Sequence, residues 1–139
     1  MTRGGAKVDS IGKHYIAEMW GVKETLLNDT KLIEDNMKIA VEKSKGTILN
    51  VFAHKFSPQG VSVVITISES HLSIHTFPEH NYCAVDIYTC GCTYPENAIK
   101  HMIDILQPTK KQVIELTRGN PAGILIKDQE QITYSPQPN

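Results

Sequence analysis

The hydrophobic positions of this chain change their period several times, and each change marks an element. From Gly12 onward His14, Ile16 and Glu18 alternate with Tyr15, Ala17 and Met19, the two-residue repeat of a half-buried strand. Ile33, Met37, Ala40 and Val41 then recur at helical spacing. With Asp29 or Thr30 placed to cap the first turn and Gly46 just past the end, they predict one amphipathic helix of about four turns. Strand patterns return over Thr47 to Phe56, Gly60 to Ser68, Leu72 to Phe77 and Cys83 to Cys90, and Ser57-Pro58-Gln59-Gly60 reads as a turn. In the second of these, Val61, Val63, Ile65 and Ile67 separate cleanly from Ser62, Val64, Thr66 and Ser68. Leu72 and Ile74 likewise oppose His71, Ser73 and His75, and Cys83, Val85 and Ile87 oppose Ala84, Asp86, Tyr88 and Cys90.

Pro95 opens a second helix striped by Ala98, Met102, Ile105 and Leu106, and a strand from Gln112 to Thr117 follows. Ile124, Leu125 and Ile126 offer a short extra strand, while Met1 to Ser10 and Ser135 to Asn139 read as loose ends. This order predicts an α+β fold, an antiparallel sheet with both helices packed on one face as a two-layer α/β sandwich. The apolar sheet face takes the helices. The Ser/Thr/His/Asp/Cys face is left for chemistry or a partner.

Composition narrows the classes of function. One hundred and thirty-nine residues, 40% of them hydrophobic, suit a single domain over 1–139 that gains from oligomerisation. A net charge of -1 without runs of like charge gives no electrostatic footprint for nucleic acid or for an anionic membrane. No apolar stretch approaches the roughly 18 residues of a membrane span, and Met1 to Ser10 lacks the apolar core of a signal peptide. A cytoplasmic protein is expected, with Cys83, Cys90 and Cys92 reduced.

Candidate chemistry gathers at the junction of two strands, Ser68-Glu69-Ser70-His71-Leu72. In or beside a tight connection, the Ser70 hydroxyl can press against the carbonyl of Glu69. His75 brings an imidazole, a group that titrates near pH 6.5 and moves protons at neutrality. Cys90 brings a thiol, a group whose ordinary pKa of about 8.5 keeps it protonated and able to donate. Each has an ordinary reading alone: a turn serine, a hydrogen-bonded histidine, a small buried cysteine. Together on one type of surface they form a nucleophile, a base and an acid. Cys90-Gly91-Cys92 with His71 and His75 is too sparse a pattern for a metal site, and none is expected.

The string from Gly60 to Glu79, with Ser68-Glu69-Ser70-His71-Leu72 and Ile74-His75-Thr76 at this spacing, resembles the self-processing region of prokaryotic S-adenosylmethionine decarboxylases, the short pyruvoyl-dependent type. The resemblance extends to Gly12-Lys13-His14, His54-Lys55-Phe56 and Asp86 to Gly91, and covers about Ile11 to Gly119. It implies serinolysis at Glu69-Ser70, giving a β chain 1–69 and an α chain 70–139 that begins with a pyruvoyl group derived from Ser70. His75 and Ser62 would assist that processing. The pyruvoyl ketone, in place of PLP and without metal, would take the amine of S-adenosylmethionine as a Schiff base and accept the electron pair left by carbon dioxide. Cys90 would return a proton, Phe56 and Phe77 would face adenine, and Glu79 would hold the ribose. A homodimer of processed protomers, with sites at or near their contact, completes the expectation. Its product would be the aminopropyl donor for spermidine synthesis.

Two alternatives stand beside it: a pyruvoyl decarboxylase of the same fold acting on ornithine or arginine, and an uncut α+β ligand-binding or interaction module. The chain departs from the pattern where Phe77 replaces the tryptophan of some relatives and where Cys92-Thr93-Tyr94 follow Cys90-Gly91 in place of acidic residues. The tail beyond Gly119 lies outside the resemblance.

Overall fold

A computed structural model describes residues 11–68, 70–91 and 93–130. The readings of Met1 to Ser10 and of Ser135 to Asn139 as loose ends, and those that fall on Glu69 and Cys92, lie outside the described residues. The strands are β1 (Gly12–Trp20), β2 (Ile48–Lys55), β3 (Val61–Ile67), β4 (Ser70–Phe77), β5 (Tyr82–Cys90), β6 (Lys110–Arg118) and β7 (Leu125–Asp128). They form one sheet in the order β2-β3-β4-β5-β1-β6-β7, every neighbour antiparallel. The helices are α1 (Glu24–Leu27), α2 (Thr30–Lys43) and α3 (Pro95–Leu106).

The expected α+β sandwich is observed, and its causes are local. Asp29 caps α2, its carboxylate accepting the Leu32 N–H at 3.0 Å. Pro95 sits in the first turn of α3, where its missing N–H costs nothing. Ile33, Met37, Ala40 and Val41 from α2, and Ala98, Ile99, Met102 and Leu106 from α3, share one core with the inward residues of β1, β3, β4 and β5. Full burial of each larger side chain, Met37 or Ile74 for example, contributes about 1.5–3 kcal/mol.

Four features differ from the sequence reading or refine it. Ile99 completes the buried stripe of α3, whereas Ile105 is half-buried, because the helix meets the sheet about one position round from the predicted face. The single-turn α1 is too short to show a period. The apolar residues of β2 lie on a sheet edge, so Ile48, Leu49 and Phe52 are exposed; alternation reveals a strand but not whether anything covers it. The short extra strand exists as β7, all four residues exposed on the other edge.

Strand register fixes which residues share rows across the open face, the one without helices. His71, Tyr88 and His14 form one row, Ser73, Asp86 and Ile16 the next, then Ser62, His75, Ala84 and Glu18, and last Phe77, Tyr82 and Trp20. Beyond His14, at the opposite end, Cys90 faces Gly12.

Candidate active site

Ser70 is the first residue of β4, where the ladder stops, opposite Ile67 of β3 and Thr89 of β5. Its φ of 155° lies in a region that residues other than glycine rarely occupy. Cys90 follows Thr89 on the adjacent strand and is buried. It is covered closely because Gly12 stands opposite: a Cβ there would lie 2.6 Å from the Thr89 carbonyl oxygen and 3.3 Å from the Cys90 Cβ. The Thr89 hydroxyl donates to the Cys90 carbonyl at 3.3 Å and lies 2.6 Å from the Thr93 hydroxyl. Ser70 and Cys90 thus lie at the same end of neighbouring strands.

The other end holds the remaining predicted residues. Ser62 Oγ lies 2.8 Å from His75 Nδ1, an exposed pair matched directly across β3 and β4. Beyond that pair, the Phe56 N–H donates to the Gly60 carbonyl at 2.8 Å, and the Phe56 and Phe77 rings are both exposed. Gly60, at a φ of 104°, is buried, and a Cβ there would lie 3.3 Å from the Thr76 carbonyl oxygen and 3.9 Å from the Phe56 side chain. Glu79 sits in the 3-10 turn Pro78–His80 that follows Phe77. His75 is five residues from Ser70 along an extended strand, about 16 Å, and Phe77 is seven, about 23 Å. The sheet carries the predicted residues in two groups that a single chain does not bring together.

Between them lies a polar centre that sequence reasoning missed. Asp86 Oδ2 accepts from His14 Nε2 at 2.6 Å and from His71 Nε2 at 2.9 Å, and Oδ1 accepts from the Ser73 hydroxyl. Burial alone would raise the Asp86 carboxyl, but the donors from His14, His71 and Ser73 outweigh it and hold the group well below the usual carboxylate range. His71 moves the other way: the hydrogen bond to Asp86 raises it above the ordinary imidazole value, against the opposing effect of burial. Arg118 lies 3.2 Å from His14 Nδ1 and stacks over the Tyr88 ring at 4.6 Å. A guanidinium only donates, so Nδ1 accepts and Nε2 of His14 carries the proton given to Asp86.

His14, His71 and Asp86 have ligand atoms within 4.8 Å of one another and are the residues here that could approach a metal ion. Arg118 on Nδ1 opposes that use, since it keeps Nε2 of His14 protonated. An open cavity of about 220 Å³ lies beside Asp86, lined in part by Ser73, His75 and Ala84. Alternation had placed Asp86, Ser73, His71 and His14 on one face; only the register across β1, β4 and β5 puts them in contact. Cys83, by contrast, is core: burial pushes its thiol up to about 12. Among the described residues, no helix is long and apolar enough to cross a membrane.

Comparison with known proteins bears on the same residues. The sequence matches the S-adenosylmethionine decarboxylase family over residues 13–119. It is 48% identical over 112 residues to an S-adenosylmethionine decarboxylase proenzyme of Geobacillus sp. (strain WCH70), covering 81% of this chain and 90% of that one. A protein of the same name from Anoxybacillus flavithermus is 46% identical over 112 residues, again with 81% and 90% covered. The crystal structure of the adenosylmethionine decarboxylase of Aquifex aeolicus superposes with a TM-score of 0.75 at 30% identity, over 81% of this chain and 93% of that one. None of these matches supports the ornithine or arginine alternative. With its motif residues on the open face of a sheet shared with that structure, and with the matched span running from β1 through β6, the chain belongs to the S-adenosylmethionine decarboxylase family.

Proposed function

We propose that this chain decarboxylates S-adenosylmethionine after cutting itself at Glu69-Ser70, and that each working site is shared between two copies. The observation that carries the reading is the separation along the strands: Ser70 and Cys90 toward one end, Ser62, His75 and Phe77 toward the other. A gap of about 16 Å along β4 keeps His75 from Ser70 within one chain. Two copies related by a two-fold axis, open face to open face with their β4 strands antiparallel, bring one copy's Ser70 end against the other's His75 end, and do so twice. The family's homodimer thus has a physical reason here.

Processing uses the chain's own atoms. Ser70 Oγ adds to the Glu69 carbonyl and the peptide C–N bond breaks, leaving an ester and a free amine on residue 70. Removal of the Ser70 α-proton expels the Glu69 carboxylate and leaves dehydroalanine, which tautomerises to an imine whose hydrolysis releases ammonia. His75, paired with Ser62, is placed to move the proton, and the Ser62 hydroxyl to steady the developing oxyanion. The unusual φ at Ser70 fits a residue whose amide is to be broken.

The residues at this end suit the pyruvoyl group, with Ser70 as its source and Cys90 beside it on β5. That group supplies an electron sink for loss of the substrate carboxylate. Cys90 then delivers a proton to the α-carbon, the Phe56 and Phe77 rings hold adenine, and Glu79 takes the ribose hydroxyls. The sulfonium is a cation, and aromatic faces attract cations. The product is the aminopropyl donor of spermidine synthesis.

Intact-mass measurement tests the reading: two chains, 1–69 and 70–139, the second blocked by pyruvate, and release of carbon dioxide from S-adenosylmethionine. A Ser70→Ala protein stays whole and inactive. A decarboxylase that keeps an ordinary amide at residue 70 would sink the proposal.

A further inference from the structure

The aromatic row at the Phe77 end runs beyond the rings assigned to adenine. Phe77, Tyr82 and Trp20 are directly paired residues of β4, β5 and β1. Phe77 and Tyr82 have centroids 5.7 Å apart at 28°, and Tyr82 and Trp20 are 4.3 Å apart at 33°. Tyr82 is also fixed at its far end, its hydroxyl donating to Glu18 Oε1 at 2.5 Å. The turn that carries Glu79 is tied down as well: Asn81 adopts a left-handed φ of 50° and exchanges two hydrogen bonds of 3.0 Å with the Val22 backbone.

Such a row does little for the core. It lies on the helix-free face, and Phe77 and Trp20 each remain 42% exposed. Its effect falls on Phe77. A ring at the end of an exposed strand turns among rotamers, whereas one stacked against an anchored neighbour has already lost that freedom before a ligand arrives. Tyr82 of β5 lies against one side of Phe77, so the ring is backed there while 42% of the residue stays exposed.

We propose that Tyr82, anchored by Glu18 and backed by Trp20, is a positioning residue that holds the Phe77 ring as a fixed wall for the adenine of S-adenosylmethionine. The inference rests on the reading of Phe77 as an adenine contact. Replacing Tyr82 weakens nucleoside binding without touching the bond-breaking end of the face.

Steady-state kinetics on the processed enzyme test it. Tyr82→Ala raises KM for S-adenosylmethionine about threefold to tenfold while kcat stays within about twofold. Tyr82→Phe keeps the ring and its packing but loses the Glu18 anchor, so KM rises about twofold to threefold; it carries the test if Tyr82→Ala does not fold. Trp20 is the sole tryptophan, so its emission reports on the row. Titration with 5′-deoxy-5′-methylthioadenosine changes that emission saturably in the parent and not in Phe77→Ala. Unchanged KM in the Tyr82 variants, with KM raised in Phe77→Ala, overturns the inference and leaves the adenine reading standing. Unchanged KM in Phe77→Ala as well overturns that reading itself. A fall in kcat at constant KM, or a silent Trp20, also counts against the wall.

Discussion

One strand, β4, joins two ends of the sheet that are built on opposite lines. At the Phe77 end almost every group is held: rings stack across three strands, and Tyr82 is anchored. At the Ser70 end the ladder stops, and a residue with a side chain adopts a φ of 155°. Recognition gains from a wall that does not move, because a pre-ordered ring loses little entropy on binding. Cutting a peptide bond needs an amide that can be driven out of its usual geometry, which a fully paired strand would resist. In the proposed reading, binding belongs to the stiff end and covalent chemistry to the other, and a second copy joins them.

The strongest challenge to that division is mixing. Ser70→Ala and His75→Ala proteins are each inactive alone, but co-expressed they form mixed dimers in which one site has both groups intact. About a quarter of parental activity is expected, since half the dimers are mixed and each holds one complete site. Zero activity would place the site within a single chain. Next in size is Cys90→Ala, which completes processing but loses about 100- to 10,000-fold in correctly protonated product. Turnover equal to the parent's would remove Cys90 from the chemistry.

Asp86→Asn, midway between the ends, has the smallest effect and depends on pH. The lowered Asp86 contributes stability above the ordinary carboxylate pKa of about 3.9, lost as pH falls through its folded value. The raised His71 contributes below about 6.5, lost as pH rises through its folded value. The parent's advantage in Tm over Asp86→Asn is therefore largest between about pH 4 and 6.5 and shrinks on either side. Thermal melts that differ by a constant amount at every pH would show that the Asp86 network does not titrate as described.

Much of this was legible in the chain. The alternation through β3, β4 and β5 assigns each residue to its face, and Asp29 and Pro95 mark their helix starts because capping and proline geometry are local. The distance between Ser70 and His75 was also implicit, since five residues of strand have a fixed length. What was not legible depends on pairing. Asp86 collects His14 from 72 positions away and His71 from 15, and no spacing announces such a meeting. The stacking of Tyr82 on Trp20 is hidden for the same reason. The exposure of Phe52 on β2 follows from strand order, a property of the whole sheet.

The outermost strand has a consequence of its own. In the sheet β7 pairs with β6 alone, through Ile114 to Thr117, and among the described residues every buried residue of the core precedes it. It can peel away as an independent flap, so a chain trimmed after Gly119 should melt as cooperatively as the parent. Its bare Leu125 and Ile126 are also where unrelated molecules would first adhere in crowded solution, and trimming should delay the onset of turbidity on heating.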